Sequence, residues 1–239
     1  MPINIEDVFN KIQNTKVSNS PFQHLVVDNL LPDHFFKKLS TELEENNFSS
    51  NFIRAPYGNK ERFGVDITDY PTWKASGHRI KTKLHELNYK SLVSNQNTIT
   101  ESFIKLLLQN EKEFYSLLSS KLPTERLHDD YFFHINMTKD AVGYEIEPHP
   151  DDKQNIFTIL FYAPQTDINR EHGLHIYKDV DDKPSMSKKI ELVPNRMIIF
   201  APSRPNEKRP ATWHEVKRLP TNLVGTRNSF QMFFYKNNS

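Results

Sequence analysis

His149 and Asp151 are separated by a single proline in Glu147-Pro148-His149-Pro150-Asp151-Asp152, and a second histidine, His214, lies well downstream in Thr212-Trp213-His214-Glu215-Val216. In an extended segment, residues two apart face the same side. His149 and Asp151 therefore project together, and Asp152 turns away. Pro150 has no N–H to give to a ladder, which suits a strand end or an edge. Two ligands from one strand hold a metal ion weakly, so a third must come from a distant strand that is adjacent in space. His214 is the best candidate for it. The chain contains no cysteine. Thiolate metal sites, disulfides and a cysteine nucleophile are thereby excluded, leaving His, Asp and Glu as ligands.

Two imidazoles and one carboxylate on one face of an octahedron leave three positions open, the arrangement used by non-haem Fe(II) oxygenases. Zinc hydrolases also use two histidines and a carboxylate, so the triad alone leaves the reaction open. A hydrolase would need a nearby general base, and Glu215 alternates to the opposite face from His214. The last apolar stretch adds a second kind of chemistry. In Arg227-Asn228-Ser229-Phe230-Gln231-Met232-Phe233-Phe234, one face carries Arg227, Ser229 and Gln231 and the other carries Phe230, Met232 and Phe234. With the apolar face turned to the core, Arg227 must enter a cavity. A buried guanidinium there needs an anionic partner, and a carboxylate bound in bidentate fashion supplies one. Thr158 and Tyr162 are four residues apart, share a strand face and can add hydroxyls to the same carboxylate. A ligand with two carboxylates, one at the metal and one at Arg227, fits this set. Arg218 is the alternative anchor. His134 and His175 lie on other expected strands and are open candidates for the cavity wall.

These side chains need a β scaffold to bring them together. Residues 127–239 show eight short strand candidates: Tyr131–Met137, Tyr144–His149, Ile156–Tyr162, Leu174–Tyr177, Ile190–Val193, Met197–Ala201, Ala211–Val216 and Arg227–Tyr235. Pro164, Gly173, Pro194, Pro202, Pro205, Pro210 and Pro220 punctuate them. That pattern predicts a sandwich or jelly roll. Residues 1–126 read mostly as helix with one strand. Phe22 to Val27 is the strand. Pro32 opens a helix with Phe35, Phe36, Leu39 and Leu43 on one stripe. Residues 51–72 read as a long loop, and Trp73–Leu87 as a helix. Thr98 and Glu101 form a capping box that opens a helix running through Phe103, Leu106, Leu107, Phe114, Leu117 and Leu118. The expected architecture is α+β: one domain over 1–239, with the N-terminal helices packed on one sheet of a jelly-roll core.

The chain has 239 residues, 36% of them hydrophobic and 12% aromatic, which suits a packed globular protein. Thirty-one Lys and Arg against thirty Asp and Glu leave a net charge of +1. No global field draws in nucleic acid or an anionic membrane. The N-terminus has early acidic residues and no apolar run, and no segment reaches the ~20 apolar residues of a membrane span. The expected location is the cytoplasm.

The ordered set His149-x-Asp151, His214 and Arg227 resembles the Fe(II)- and 2-oxoglutarate-dependent dioxygenases, in particular their prolyl-4-hydroxylase-like branch. Arg227 with Ser229 is similar to one branch's clamp, and Tyr162 matches a tyrosine that holds the co-substrate carboxylate in some prolyl hydroxylases. Pro194–Phe200 and Trp213–Val216 resemble the family's penultimate strands, and Pro21–Pro32 its opening strand and helix. The likeness runs from about residue 21 to the C-terminus and is densest over 144–235. It implies a double-stranded β-helix with Fe(II) on His149, Asp151 and His214. It also implies 2-oxoglutarate held by Arg227, Ser229, Tyr162 and Thr158, O2 as oxidant and ascorbate as reductant. The implied reaction hydroxylates a small molecule or a peptide and releases succinate and CO2. The competing reading is a non-catalytic jelly-roll binding module whose histidines are structural.

Overall fold

The computed structural model describes residues 3–45, 53–54, 62–66, 98–167 and 169–236. Helix α1 (Ile5–Asn14) is capped by Asn4, whose side chain accepts the Glu6 N–H. The apolar segment at Phe22 forms strand β1 (His24–Val27), and α2 (Asp33–Glu45) follows Pro32. The capping box forms as expected: the Thr98 hydroxyl accepts the Glu101 N–H at 3.0 Å and opens α3 (Ile99–Gln109).

That helix does not continue to Leu118. It stops at Asn110, which has left helical geometry (φ −117°, ψ 24°) and bonds its amide back to the Leu106 carbonyl. A second helix, α4 (Glu111–Lys121), starts there with Glu111 and Glu113 in its first turn, where the helix dipole favours negative charge. An asparagine that satisfies its own neighbouring carbonyl competes with helix continuation.

Among the described residues, eleven strands build two antiparallel sheets. The larger has the order β1, β9 (Arg196–Phe200), β6 (Asn155–Tyr162), β11 (Arg227–Lys236), β4 (Tyr131–Asp140), β3 (Arg62–Asp66) and β2 (Ile53–Arg54). The smaller has the order β5 (Ile146–His149), β10 (His214–Val216), β7 (Leu174–Val180) and β8 (Lys183–Ile190). Two departures from the sequence reading stand out. Part of the expected 51–72 loop is the β2–β3 hairpin, which adds an edge to the large sheet with Arg62 opposite Asp140. The remainder of that segment, and the helix expected over Trp73–Leu87, lie outside the described residues. The strand expected at Ile190–Val193 instead ends at Ile190 and begins at Lys183. Its sequence, Lys-Pro-Ser-Met-Ser-Lys-Lys-Ile, lacks apolar alternation because it is an edge strand, held by the tight turn at Asp181 and Asp182, both at positive φ.

The alternation of the strands sorts side chains into two apolar layers. Phe157, Ile159, Phe161, Phe230, Met232 and Phe234 face the helices and meet Phe103, Leu107 and Phe114. Phe103 lies 5.5 Å from Phe161 and 5.3 Å from Phe230, centroid to centroid, distances at which tilted aromatic pairs attract. Leu160, Tyr162, Ile176, Ile198, Phe200 and Val216 fill the space between the sheets. This is a jelly-roll core with helices on one sheet, as the sequence predicts. No helix among the described residues is long and apolar enough to cross a membrane.

Gly173 sits where β7 must begin beside the end of β8. A Cβ there would lie 1.9 Å from the Ile190 carbonyl oxygen. Gly173→Ala is expected to lose roughly 1–3 kcal/mol of stability by overpacking, read as a lower thermal midpoint. β7 also pairs with His214 through Ile176, so the clash strains the scaffold of the site.

Candidate metal and anion site

His149 ends β5, and His214 begins β10 directly opposite it. The two imidazole rings face each other with centroids 4.4 Å apart. Each ring is oriented by its own strand: Nδ1 of His149 donates to the Glu147 carbonyl at 2.8 Å, and Nδ1 of His214 donates to the Thr212 carbonyl at 2.9 Å. A carbonyl can only accept, so the proton sits on Nδ1 and both Nε2 atoms are left to face inward. Asp151 completes the group. Its Oδ1 is 3.6 Å from His214 Nε2 and 4.0 Å from His149 Nε2. The three ligand atoms all lie within 4.8 Å of one another. Phe200 packs edge-on against His214 at 5.0 Å and holds its ring from the large sheet.

The electrostatics follow from this proximity. Burial opposes ionisation of Asp151, but His214, His149 and the Thr158 hydroxyl outweigh it and hold its carboxyl at about 2. Burial also works against charge on His214, yet Asp151 raises its pKa above the usual imidazole value. His149 is pushed down, first by burial and then by His214. The donor set fits a divalent cation: two Nε2 lone pairs and one ionised oxygen converge, and both imidazoles carry the backbone bond that typically orients a ligating histidine.

The other expected residues separate. Arg227 opens β11 on the face it shares with Tyr162, toward the space between the sheets, and is 1% exposed. Its Nη1 donates to Asp140 Oδ2 at 2.7 Å and its Nη2 to the Tyr162 hydroxyl at 3.2 Å, while its Nε finds no acceptor among the described residues. Burial disfavours the Arg227 charge, but Tyr162 and Asp140 outweigh it and raise its pKa. Arg218 lies at the surface, 4.0 Å from Glu145. Ser229, two residues on, shares a 2.9 Å hydrogen bond with Thr138.

Thr158, expected beside the anion anchor, instead donates to Asp151 Oδ2 at 2.5 Å. It braces the carboxylate so that Oδ1 points at the imidazoles. Thr158→Val is expected to weaken divalent-metal affinity by about 10–100-fold, the usual cost of losing an outer-sphere partner, read by Mn(II) titration. His134 lies on β4, stacked near Phe233 at 6.1 Å. His175 alternates outward between the inward Leu174 and Ile176. Glu215 turns away from the site and accepts from Tyr177.

Two residues of the site escaped the sequence reading. Asp140 is fully buried and accepts from both Arg227 and Arg62. Its signal was present: extending the strand Tyr131–Met137 by three residues places Asp140 on the face of Asn136 and Thr138. Arg62 was assigned to a loop. The alternation in Arg62-Phe63-Gly64-Val65-Asp66 was the signal for a strand.

No protein-family model matches the chain, and no curated protein matches it in sequence. Solved structures do resemble it. A Pseudomonas putida prolyl-4-hydroxylase is 14% identical with a TM-score of 0.56, over 98% of this chain and 100% of that one. A Trichoplax adhaerens prolyl hydroxylase, solved with a hypoxia inducible factor oxygen degradation domain peptide, is 13% identical with a TM-score of 0.56, over 97% of this chain and 88% of that one. HygX of Streptomyces hygroscopicus, solved with nickel, 2-oxoglutarate and hygromycin B bound, is 8% identical with a TM-score of 0.53, over 90% of this chain and 83% of that one. The chain therefore has the fold of the prolyl hydroxylases and related oxygenases.

Proposed function

We propose that the chain is an Fe(II)- and 2-oxoglutarate-dependent dioxygenase that hydroxylates a prolyl peptide, an amino acid or another small metabolite. The observation that carries this reading is the convergence of His149 Nε2, His214 Nε2 and Asp151 Oδ1, with the buried Arg227 bonded to Tyr162 on the same face of β6 as Thr158, the partner of Asp151. Similar folds solved with 2-oxoglutarate and a metal, or with a peptide, support it. In this reading residues 1–126 and 127–239 work as one domain, because β1, β2 and β3 of the first part pair into the sheet of the second.

Iron with 2-oxoglutarate and O2, once bound, would supply the oxidising chemistry: decarboxylation of the keto acid to succinate and CO2, with one oxygen atom of O2 in the succinate and the other in a C–OH of the substrate. The chain's own residues do the rest. His149, His214 and Asp151 would hold the metal. Backbone carbonyls fix both imidazole tautomers, and Thr158 fixes the carboxylate. Arg227 and the Tyr162 hydroxyl receive the remote carboxylate of the co-substrate. The apolar lining of Leu160, Ile198 and Phe200 keeps water from the space between. A zinc-hydrolase reading lacks support from Glu215, which turns to the other face of β10.

The test is succinate formation from 2-oxoglutarate with Fe(II), ascorbate and O2, run with a metabolite pool and a proline-rich peptide pool. Turnover that requires iron and oxygen is the expected result. Absence of turnover with every pool, together with absence of divalent-metal binding, rejects the assignment in favour of a non-catalytic binding module.

A further inference from the structure

Asp140 poses a problem for an anion site. It is a fully buried carboxylate bonded to the guanidinium that should receive a ligand's carboxylate. Paired with Arg227 alone, it would cancel the charge that attracts the ligand. Arg62 removes the conflict. From β3, next to β4 in the large sheet, its Nε reaches Asp140 Oδ1 at 2.6 Å and its Nη2 reaches Oδ2 at 3.0 Å, a two-pronged contact with the same carboxylate. The Arg62 side chain is only 17% exposed, and its guanidinium lies over the Tyr144 ring at 4.2 Å.

Two cations and one anion leave a single positive charge, buried. Among the described residues, the other groups facing the cluster do not cancel it. Burial first, and Asp140, push the Tyr144 hydroxyl up to about 12, and burial raises Tyr162 as well, so both remain neutral. Asn228, beside Arg227, alternates to the opposite face, where it meets Glu44. Arg227 also keeps a buried Nε with no acceptor among the described residues. An uncompensated buried charge with an unmet donor is costly unless an anion completes it.

We propose that Arg62 is a positioning residue of the co-substrate site: it neutralises Asp140, so that Arg227 stays oriented by Asp140 yet keeps its net charge for the remote carboxylate of a keto diacid. This rests on the function proposed above and adds a residue pair to it. The pair acts as a neutral unit, so its members compensate each other. Removing Arg62 alone hands Asp140 to Arg227 and discharges the anchor. Removing the charges of both restores the anchor.

The experiment is titration of 2-oxoglutarate, and of 2-oxobutyrate, which lacks the second carboxylate, into Mn(II)-loaded protein. Arg62→Met is expected to weaken 2-oxoglutarate at least about tenfold, with Mn(II) affinity and 2-oxobutyrate binding unchanged. Arg62→Lys, which keeps the charge, should stay near the wild type. Arg62→Met combined with Asp140→Asn should regain most of the loss, an interaction term that only coupled sites give. A merely structural role would weaken both keto acids alike and would not be repaired by the second substitution. Wild-type-like binding by Arg62→Met, equal loss for both keto acids, or no recovery in the double variant overturns the proposal alone. Failure of the wild type to bind 2-oxoglutarate overturns the underlying function as well.

Discussion

Asp151→Ala is expected to abolish divalent-metal binding at the triad, read by Mn(II) titration, and with it the proposed 2-oxoglutarate turnover. The effect is expected to be the largest of any single substitution because Asp151 is the only carboxylate in the ligand group. It supplies the one formal negative charge that offsets a dication, and its Oδ1 sits between the two imidazoles. Loss of a mere outer-sphere partner costs about 10–100-fold in metal affinity, and loss of the charged ligand should exceed that. The fold should survive: Asp151 lies outside the strands, and neither apolar layer uses it. A variant with an unchanged melting profile and unchanged Mn(II) affinity would remove Asp151 from the site.

Arg227→Leu is the second large effect and falls on a different ligand. With Arg227 gone, Arg62 and Asp140 form a neutral pair, the cavity has no net charge, and the Tyr162 hydroxyl loses its donor. Truncating one partner of a buried, hydrogen-bonded charge pair costs about 2–5 kcal/mol, which translates to roughly 30- to several-thousand-fold weaker 2-oxoglutarate binding. Mn(II) affinity should stay close to the wild type, since Arg227 touches no ligand of the triad. The comparison of the two variants separates the metal half of the site from the anion half.

Much of this was legible in the sequence, and the physical reason is strand periodicity. The two-residue repeat placed Thr158 with Tyr162 and Arg227 with Ser229 on common faces, which the observed strands keep, and it paired His149 with Asp151, which the structure brings together although β5 ends at His149. Periodicity says nothing about partners across strands. Hence Thr158 was expected at the far carboxylate, whereas its hydroxyl meets Asp151. Asp140 was missed because the strand was ended at Met137, where the apolar residues stop. Among the last three residues of β4, Thr138 and Asp140 are polar because they face the polar surroundings of Arg227, while Lys139 alternates to the other face, near Glu44. Arg62 was missed for a related reason: β3 is a short strand whose identity depends on pairing with β4 on one side and β2 on the other. The break at Asn110 shows the same limit in helices, where the apolar stripe runs on across a residue whose side chain caps the turn before it.

The most direct test of the central claim is a crystal grown with Mn(II) and N-oxalylglycine, with the metal located by anomalous scattering. The account predicts one strong peak within bonding distance of the Nε2 atoms of residues 149 and 214 and of the Asp151 carboxylate, and an analogue whose distal carboxylate rests on Arg227. A peak elsewhere, or an analogue turned away from Arg227, would contradict it.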